Sequence, residues 1–303
     1  IGTSPHGTAV AEIVHDMAPG ATLSLHRINT PISLSQAVDQ AVADGADIIS
    51  MSVSWTLDGP GDGSGTLAKI VGDARSHGIL VAKSAGNAAQ VSWSGLYTNF
   101  TLGSHHYLAW DGAKKWFNFI GPGNGFCSQI PSGTPILAGL HWDDWSAVNQ
   151  DYDLHLYRWP LSGSILYRVA SSTDPQNGGV GQVPWEFLAY TATGGNCYAW
   201  VVEKVNADGK ACLRLLAPEM KHLDEWIPER SLLFPADAAG VMTVAALDVS
   251  KPYGLEDYSS RGPTFGRGGA CTVGKAKPDI SAFANVSTAS YGPEGFAGTS
   301  AAP

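Results

Sequence analysis

Residues 67–87 read LAKIVGDARSHGILVAKSAGN and show the pattern that decides the fold. The apolar residues Leu67, Ile70, Val71 and Ala74 recur at the spacing of one helix face, and Gly78 ends that pattern. The next residues, 79–83, form a short apolar run that is typical of a buried strand. This stretch therefore predicts a helix followed directly by a strand.

The same alternation extends on both sides of this stretch. We predict helices over 6–17 and 34–43, and strands over 21–28, 47–53 and 241–247, with 277–282 leading into the last motif of the chain. Strands that alternate with helices at this pitch indicate a parallel sheet with right-handed crossovers. The predicted class is α/β, with a parallel sheet covered by helices on both faces.

Residues 97–230 have a different character. Helical periodicity disappears, aromatic residues become frequent, and short runs such as 136–142, 154–159 and 197–205 are separated by turn clusters. We predict an all-β sandwich inserted between two parts of the α/β domain, 1–96 and 231–303. The aromatic residues favour a sandwich core over a sugar-binding face.

Composition excludes several classes of protein. The chain has 303 residues, is 44% hydrophobic and 15% charged, and carries a net charge of −9, so it is neither a disordered chain nor a typical nucleic-acid binder. No apolar run approaches the roughly 20 residues that cross a bilayer, so we predict no membrane span. Because the chain starts at Ile1 and stops at Pro303 inside a motif, we expect both ends to be fragment boundaries and any signal segment to lie outside this sequence.

Three short motifs lie where the predicted sheet exposes an edge. HGT begins at His6, SAGN covers 84–87, and GTSAAP closes the chain at 298–303. In this combination and order they resemble the subtilisin-like serine peptidases, and longer stretches such as YSSRGPT and KPDISA support the resemblance. The short link at 18–20 and the insert containing HWDDWSAVNQDYDLHLY resemble bacterial secreted members with a pre-peptidase-C-like sandwich.

The resemblance implies roles for individual residues. Ser300 is the expected nucleophile and His6 its general base, while the Asn87 amide and the Ser300 backbone N–H are the expected oxyanion donors, supported by Thr299. The His-before-Ser order differs from that of an α/β-hydrolase. The catalytic Asp of the family precedes the His motif and is absent here, so the triad is incomplete in this sequence. Neither Glu12 nor Asp16 is assigned to that role.

The resemblance also implies a substrate-binding cleft. Ser52, Val53 and Ser54 are expected to bind peptide backbone and to form one wall of the pocket for the side chain before the scissile bond. Ser84, Ala85 and Gly86 are expected to form the other wall. Ser54 stands where the family has Gly, and Lys83 stands among residues that are usually small and apolar. Both departures leave the specificity open.

Four carboxylates bracket a loop of the insert. Asp143, Asp144, Asp151 and Asp153 carry oxygen ligands of the kind that Ca²⁺ prefers, so we list a calcium site there as one hypothesis and a solvated acidic loop as the other. Calcium would be structural, because serine peptidase chemistry requires no cofactor.

The four cysteines, Cys127, Cys197, Cys212 and Cys271, lack metal-site spacing and allow three pairings. A hairpin turn at 206–209 would place Cys197 too far from Cys212 for a bridge, which favours Cys127 with Cys197.

The resemblance implies an extracellular serine endopeptidase that acts on polypeptide substrates, and it allows a propeptide as one further partner. The alternative is a catalytically inactive subtilisin-like scaffold that binds protein or carbohydrate. The complete motifs at His6, Asn87 and Ser300 favour the enzyme, whereas the absent Asp leaves the alternative open.

Overall fold

The computed structural model describes residues 4–121, 127–160, 165–218, 220 and 222–303. It divides the chain into two compact units. Unit 1 comprises Ile1–Asn87, Leu232–Thr264 and Lys275–Pro303, and unit 2 comprises Ala88–Ser231 and Phe265–Gly274. Unit 2 thus begins nine residues before the expected boundary at 97 and includes a second segment, Phe265–Gly274, that the sequence pattern assigns to the α/β domain.

The helices are α1 (His6–Met17), α2 (Pro31–Ala43) and α3 (Thr66–Ser76), with 3-10 helices at Arg267–Gly269 and Thr299–Ala301. The strands are β1 (Ile48–Met51), β2 (Leu80–Ser84), β3 (Ser92–Leu96), β4 (Asn99–Leu102), β5 (His105–Leu108), β6 (Asn118–Phe119), β7 (Pro135–Trp142), β8 (Asp151–Trp159), β9 (Tyr167–Ser172), β10 (Trp185–Thr191), β11 (Cys197–Asn206), β12 (Cys212–Leu216), β13 (Val241–Asp248), β14 (Ile280–Ala284), β15 (Val286–Thr288) and β16 (Gly292–Phe296). No helix among them is long and apolar enough to cross a membrane.

Unit 1 is built on a parallel sheet with the strand order β1, β2, β13, β14. Helices α2 and α3 pack in one cluster with Val81 and Val241, and α1 packs in another with Ala246 and Ala284. Val241 and Ala246 are an odd number of residues apart on β13 and so point to opposite faces of the sheet. The sheet is therefore parallel and covered by helices on both faces, as the alternating pattern predicts.

Local sequence fixes where the helices of unit 1 begin. Thr30 caps α2, because its side chain accepts from Ser33 N (3.1 Å) while Ser33 Oγ accepts from Thr30 N (3.0 Å). Asp58 performs the same function for α3, since its carboxylate accepts from the amides of Thr66 (3.1 Å) and Leu67 (3.0 Å). Each cap satisfies amides that the first helical turn leaves without a partner.

The strand predicted over 21–28 is wrong. The segment is neither helix nor strand and pairs with no strand in the described part of the chain, and its alternating residues Leu23 and Leu25 are 41% and 75% exposed. Alternation of apolar residues is typical of a strand, but a strand also needs a neighbour for its hydrogen-bond ladder, and the sequence pattern cannot supply that neighbour.

Unit 2 contains two antiparallel sheets. One has the order β10, β7, β12, β3, and the other has β4, β5, β11, β8, β9, with β6 paired to β11. Side chains from both sheets form one large core, in which Trp142, Tyr152, Tyr198 and Trp200 are fully buried. Much of the aromatic content thus fills a core, as the sequence favoured.

The hairpin predicted around 206–209 does not form. Strand β11 lies in one sheet and β12 in the other, so the turn carries the chain between sheets. The favoured pairing is nevertheless confirmed, because Cys127 is bonded to Cys197 and Cys212 to Cys271. The second bridge ties Phe265–Gly274 to the rest of unit 2.

Both excursions that form unit 2 leave and re-enter unit 1 at hydrogen-bonded points. At the first, Leu233 N donates to Ala85 O (3.0 Å). At the second, Thr264 N donates to Lys275 O (2.9 Å) and Lys275 N donates to Thr264 Oγ1 (2.9 Å). The ends of each excursion are therefore held together by bonds within unit 1.

Candidate active site

His6 lies at the first turn of α1. Its imidazole is half-buried and packs edge-to-face against Phe296, with 5.3 Å between ring centroids and an interplanar angle of 81°. Burial lowers the pKa of His6 below its usual value, because desolvation disfavours the charged ring. The neutral imidazole is the form that can accept a proton.

Ser300 lies in a tight turn whose backbone conformation depends on a glycine. Gly298 has a φ of 94°, and a Cβ at this position would come within 2.9 Å of Asn87 Nδ2. The Ser300 side chain is partly exposed, and its carbonyl oxygen accepts from Ser52 Oγ (3.0 Å). The turn thus presents a serine hydroxyl beside the segment that follows β1.

Asn87 is oriented by Thr299. Its Oδ1 accepts from both Thr299 N (2.9 Å) and Thr299 Oγ1 (2.9 Å), and Thr299 Oγ1 accepts in turn from Gly86 N (3.1 Å). A backbone N–H can only donate, so the atom facing it must be the oxygen of the carboxamide. Asn87 is exposed, and the contacts within the described chain leave its Nδ2 available to an incoming group.

The turn with Ser300 and the helix with His6 are neighbours. Ala301 packs in one cluster with Ala9 and Phe296, and Phe296 is the ring that contacts His6. Among the contacts of the described residues, no hydrogen bond joins the His6 imidazole to the Ser300 hydroxyl. In enzymes without bound substrate, the hydrogen bond between the base and the nucleophile is frequently long, and it shortens when substrate binds.

The carboxylates of α1 have other partners or positions. Glu12 accepts from Ser290 Oγ (2.6 Å) and Ser290 N (3.1 Å), which lowers the pKa of its carboxyl. Asp16 is exposed near the end of the helix. Neither carboxylate acts on His6, whose lowered pKa has burial as its cause.

Each of the two segments expected to line the substrate cleft forms a hydrogen bond to the Ser300 turn. Ser52 contacts Ser300, and Gly86 contacts Thr299. Val53 and Ser54 continue the first segment, while Ser84 and Ala85 precede Gly86 and are buried. Gly86 has a φ of 107°, and a Cβ there would meet Leu233 at 2.6 Å, so a larger residue would disturb this wall.

Within the described residues, the structure does not gather the four Asp residues of the calcium hypothesis. Asp143 accepts from Cys212 N (2.9 Å) and Asp144 from Gln150 N (2.8 Å), so these carboxylates hold loop backbone. Asp151 and Asp153 lie on strand β8 rather than in that loop.

A different group of side chains could hold a metal ion. Ligand atoms of Asp153, His155 and Glu203 lie within 4.8 Å of one another, because the register of β8 and β11 places Glu203 opposite Asp153. Burial and the neighbouring carboxylates raise the pKa of Asp153 to about 6. Sequence reasoning noted Asp153 but missed the other two, since only the alternation of Asp153 and His155 in the sequence hinted at a shared face.

The N-terminal third of the chain resembles a known peptidase family. Residues 2–105 match the model of the subtilase family. The solved structure of the CspB protease of Clostridium perfringens is similar to this chain, with a TM-score of 0.60 and 16% identity over 100% of this chain and 68% of that chain. No curated protein matches the sequence. The structural similarity shows the fold, and the family match shows that residues 2–105 are similar to subtilases.

Proposed function

We propose that the protein is a serine endopeptidase in which Ser300 is the nucleophile and His6 the general base. The observation that carries the proposal is the orientation of Asn87. Thr299 holds the carboxamide oxygen from two sides, and the amide nitrogen remains as a donor beside the Ser300 turn. An amide that serves only as a turn residue needs no such fixation.

The chemistry requires each of these groups. His6 takes the proton from Ser300 Oγ as that oxygen attacks the substrate carbonyl, and the same imidazole then protonates the leaving amine. Asn87 Nδ2 and the backbone N–H of Ser300 donate to the oxyanion that forms. Thr299 is a positioning residue in this proposal, because it acts through Asn87.

The proposal includes a catalytic Asp that lies outside residues 1–303. We propose that an Asp preceding Ile1 in the full-length protein bonds to His6 Nδ1 and stabilises the imidazolium. No cofactor takes part in the chemistry. A propeptide and an extracellular location belong to the same proposal, and the two disulfides support that location because such bonds persist in oxidising compartments.

The test is covalent labelling of the full-length protein with a fluorophosphonate, followed by peptide mapping. Modification should fall on Ser300, and the Ser300→Ala variant should lose it. Ser52→Ala is the matched control, since Ser52 contacts Ser300 but is not the nucleophile. Wild-type protein that folds and takes no label would favour the inactive scaffold that binds protein or carbohydrate.

A further inference from the structure

Lys83 is a fully buried cation whose contacts all lie beside the proposed active site. Its side chain is 0% exposed, and Nζ donates to Ser54 Oγ (2.9 Å), Ser84 O (2.7 Å) and Ser84 Oγ (3.0 Å). An ammonium group has three donors, so these bonds use its full capacity. The side chain is therefore held in one position.

The position of Nζ is significant because it joins two segments that each contact the Ser300 turn. Ser54 lies two residues after Ser52, which donates to the Ser300 carbonyl, and Ser84 lies two residues before Gly86, which donates to Thr299. In the proposed peptidase, a substrate side chain placed between these segments, next to the bond attacked by Ser300, would approach the two serines that Lys83 holds.

The hydroxyls of Ser54 and Ser84 are left as donors. Each oxygen accepts from Nζ, so its own hydrogen must point elsewhere. Within the described chain, no acceptor for either hydrogen is found. Ser54 is partly exposed, whereas Ser84 is buried. Two such donors in front of a cation suit an oxygen ligand, and a carboxylate gains the charge interaction as well.

The buried Asp237 lies near enough to Lys83 for a charge interaction. Burial lowers the pKa of Lys83 to about 7, and the Coulomb interaction with the buried Asp237 opposes that change. A buried ion is costly unless it is paired. A ligand carboxylate would supply a further negative charge and would favour the protonated form of Lys83.

We propose that Lys83, through Ser54 and Ser84, makes the enzyme select peptides with Glu or Asp immediately before the scissile bond. The proposal rests on the proposed peptidase function and specifies its substrate class. Ser54 and Ser84 are the specificity residues, since their hydroxyls would contact the side chain of the substrate rather than the reacting atoms, and Lys83 is a positioning residue that acts through them.

The preference has a pH dependence with a definite sign. Lys83 carries its charge below a pH of about 7 and loses it as the pH rises through that value. Selection of a carboxylate should therefore be strongest near pH 6 and weaken towards pH 8.5. A purely structural Lys83 would not produce this difference between an acidic substrate and its amide.

The experiment compares peptide 4-nitroanilides that differ only in the last residue, Glu, Gln or Leu, using the full-length protein. At pH 6 we expect kcat/KM for Glu to exceed that for Gln by about tenfold or more, the order expected of hydrogen bonds to a charged group. The ratio should fall towards pH 8.5. Lys83→Met and Ser54→Ala should each reduce it, whereas Lys251→Met, which changes an exposed lysine, should leave it unchanged.

The outcomes separate the two proposals. If no peptide is cleaved and Ser300 takes no fluorophosphonate, the peptidase function itself is refuted. Cleavage of Leu or Gln peptides with a Glu:Gln ratio of one or less at pH 6 would overturn the specificity while leaving the peptidase intact. If Lys83→Met does not fold, Ser54→Ala decides, and an unchanged ratio in that variant would also overturn it.

Discussion

Replacement of Thr299 by Val tests how the oxyanion donor is held. Val has nearly the shape of Thr but lacks the hydroxyl, so the variant loses the bond from Thr299 Oγ1 to Asn87 Oδ1 and leaves the Gly86 amide without its acceptor. Thr299 is 1% exposed, and water cannot readily replace the hydroxyl. The lost bond costs about 1 kcal/mol and the unsatisfied buried amide about 1–3 kcal/mol, for a combined loss of about 2–4 kcal/mol in unfolding free energy.

The same change should weaken catalysis without removing the donor. Asn87 retains its bond from Thr299 N, so we expect kcat to fall by about tenfold with little change in KM, less than the roughly 10²–10³ that removal of this donor costs in subtilisin, the source of that figure. Thr299→Ser keeps the hydroxyl and should cost about 1 kcal/mol for the lost methyl group while retaining kcat. Urea unfolding and peptide hydrolysis measure the two effects. Equal stability and equal kcat in Thr299→Val and wild type would refute this account of Asn87.

Two further predictions concern unit 2. Glu186 is fully buried, and burial raises its pKa to about 7, above its unfolded value, so its contribution to stability is present at low pH and lost as the pH rises through about 7. Glu186→Gln should flatten that dependence and raise the unfolding free energy at pH 8 by about 2 kcal/mol, after allowance for solvent screening. Urea unfolding of the variant and the wild type at pH 5 and pH 8 measures the change. If both proteins show the same dependence of unfolding free energy on pH, the burial effect is contradicted. Peptide mapping of the unreduced protein should recover Cys127 linked to Cys197 and Cys212 linked to Cys271, whereas a Cys197–Cys212 fragment would contradict both bridges.

The local parts of the fold could be predicted from sequence. Helix α1 begins at His6 and strand β2 precedes Asn87, as the sequence predicts. Such elements can be predicted because the spacing of apolar residues and the glycines that end helices are properties of neighbouring residues. The candidate site residues His6, Asn87 and Ser300 could be identified from sequence because each belongs to a short motif of neighbouring residues.

Features that depend on distant pairing could not be predicted in this way. The place of β12 in a different sheet from β11, and the membership of Phe265–Gly274 in unit 2, depend on partners far along the chain. The proximity of Glu203 to Asp153 likewise depends on the strand register. The sequence marks Lys83 as unusual, but its bonds to two serines depend on the three-dimensional arrangement of the chain.

The closed ends of the two excursions have a consequence for the size of unit 2. Ala85 with Leu233, and Thr264 with Lys275, bring the ends of each excursion together regardless of what lies between them. The entropy lost in closing a flexible chain segment grows only with the logarithm of its length, so doubling an excursion would cost unit 1 only about 0.6 kcal/mol. Homologous chains with a much longer or much shorter segment between these pairs should therefore be able to keep the same sheet and the same Ser300 turn.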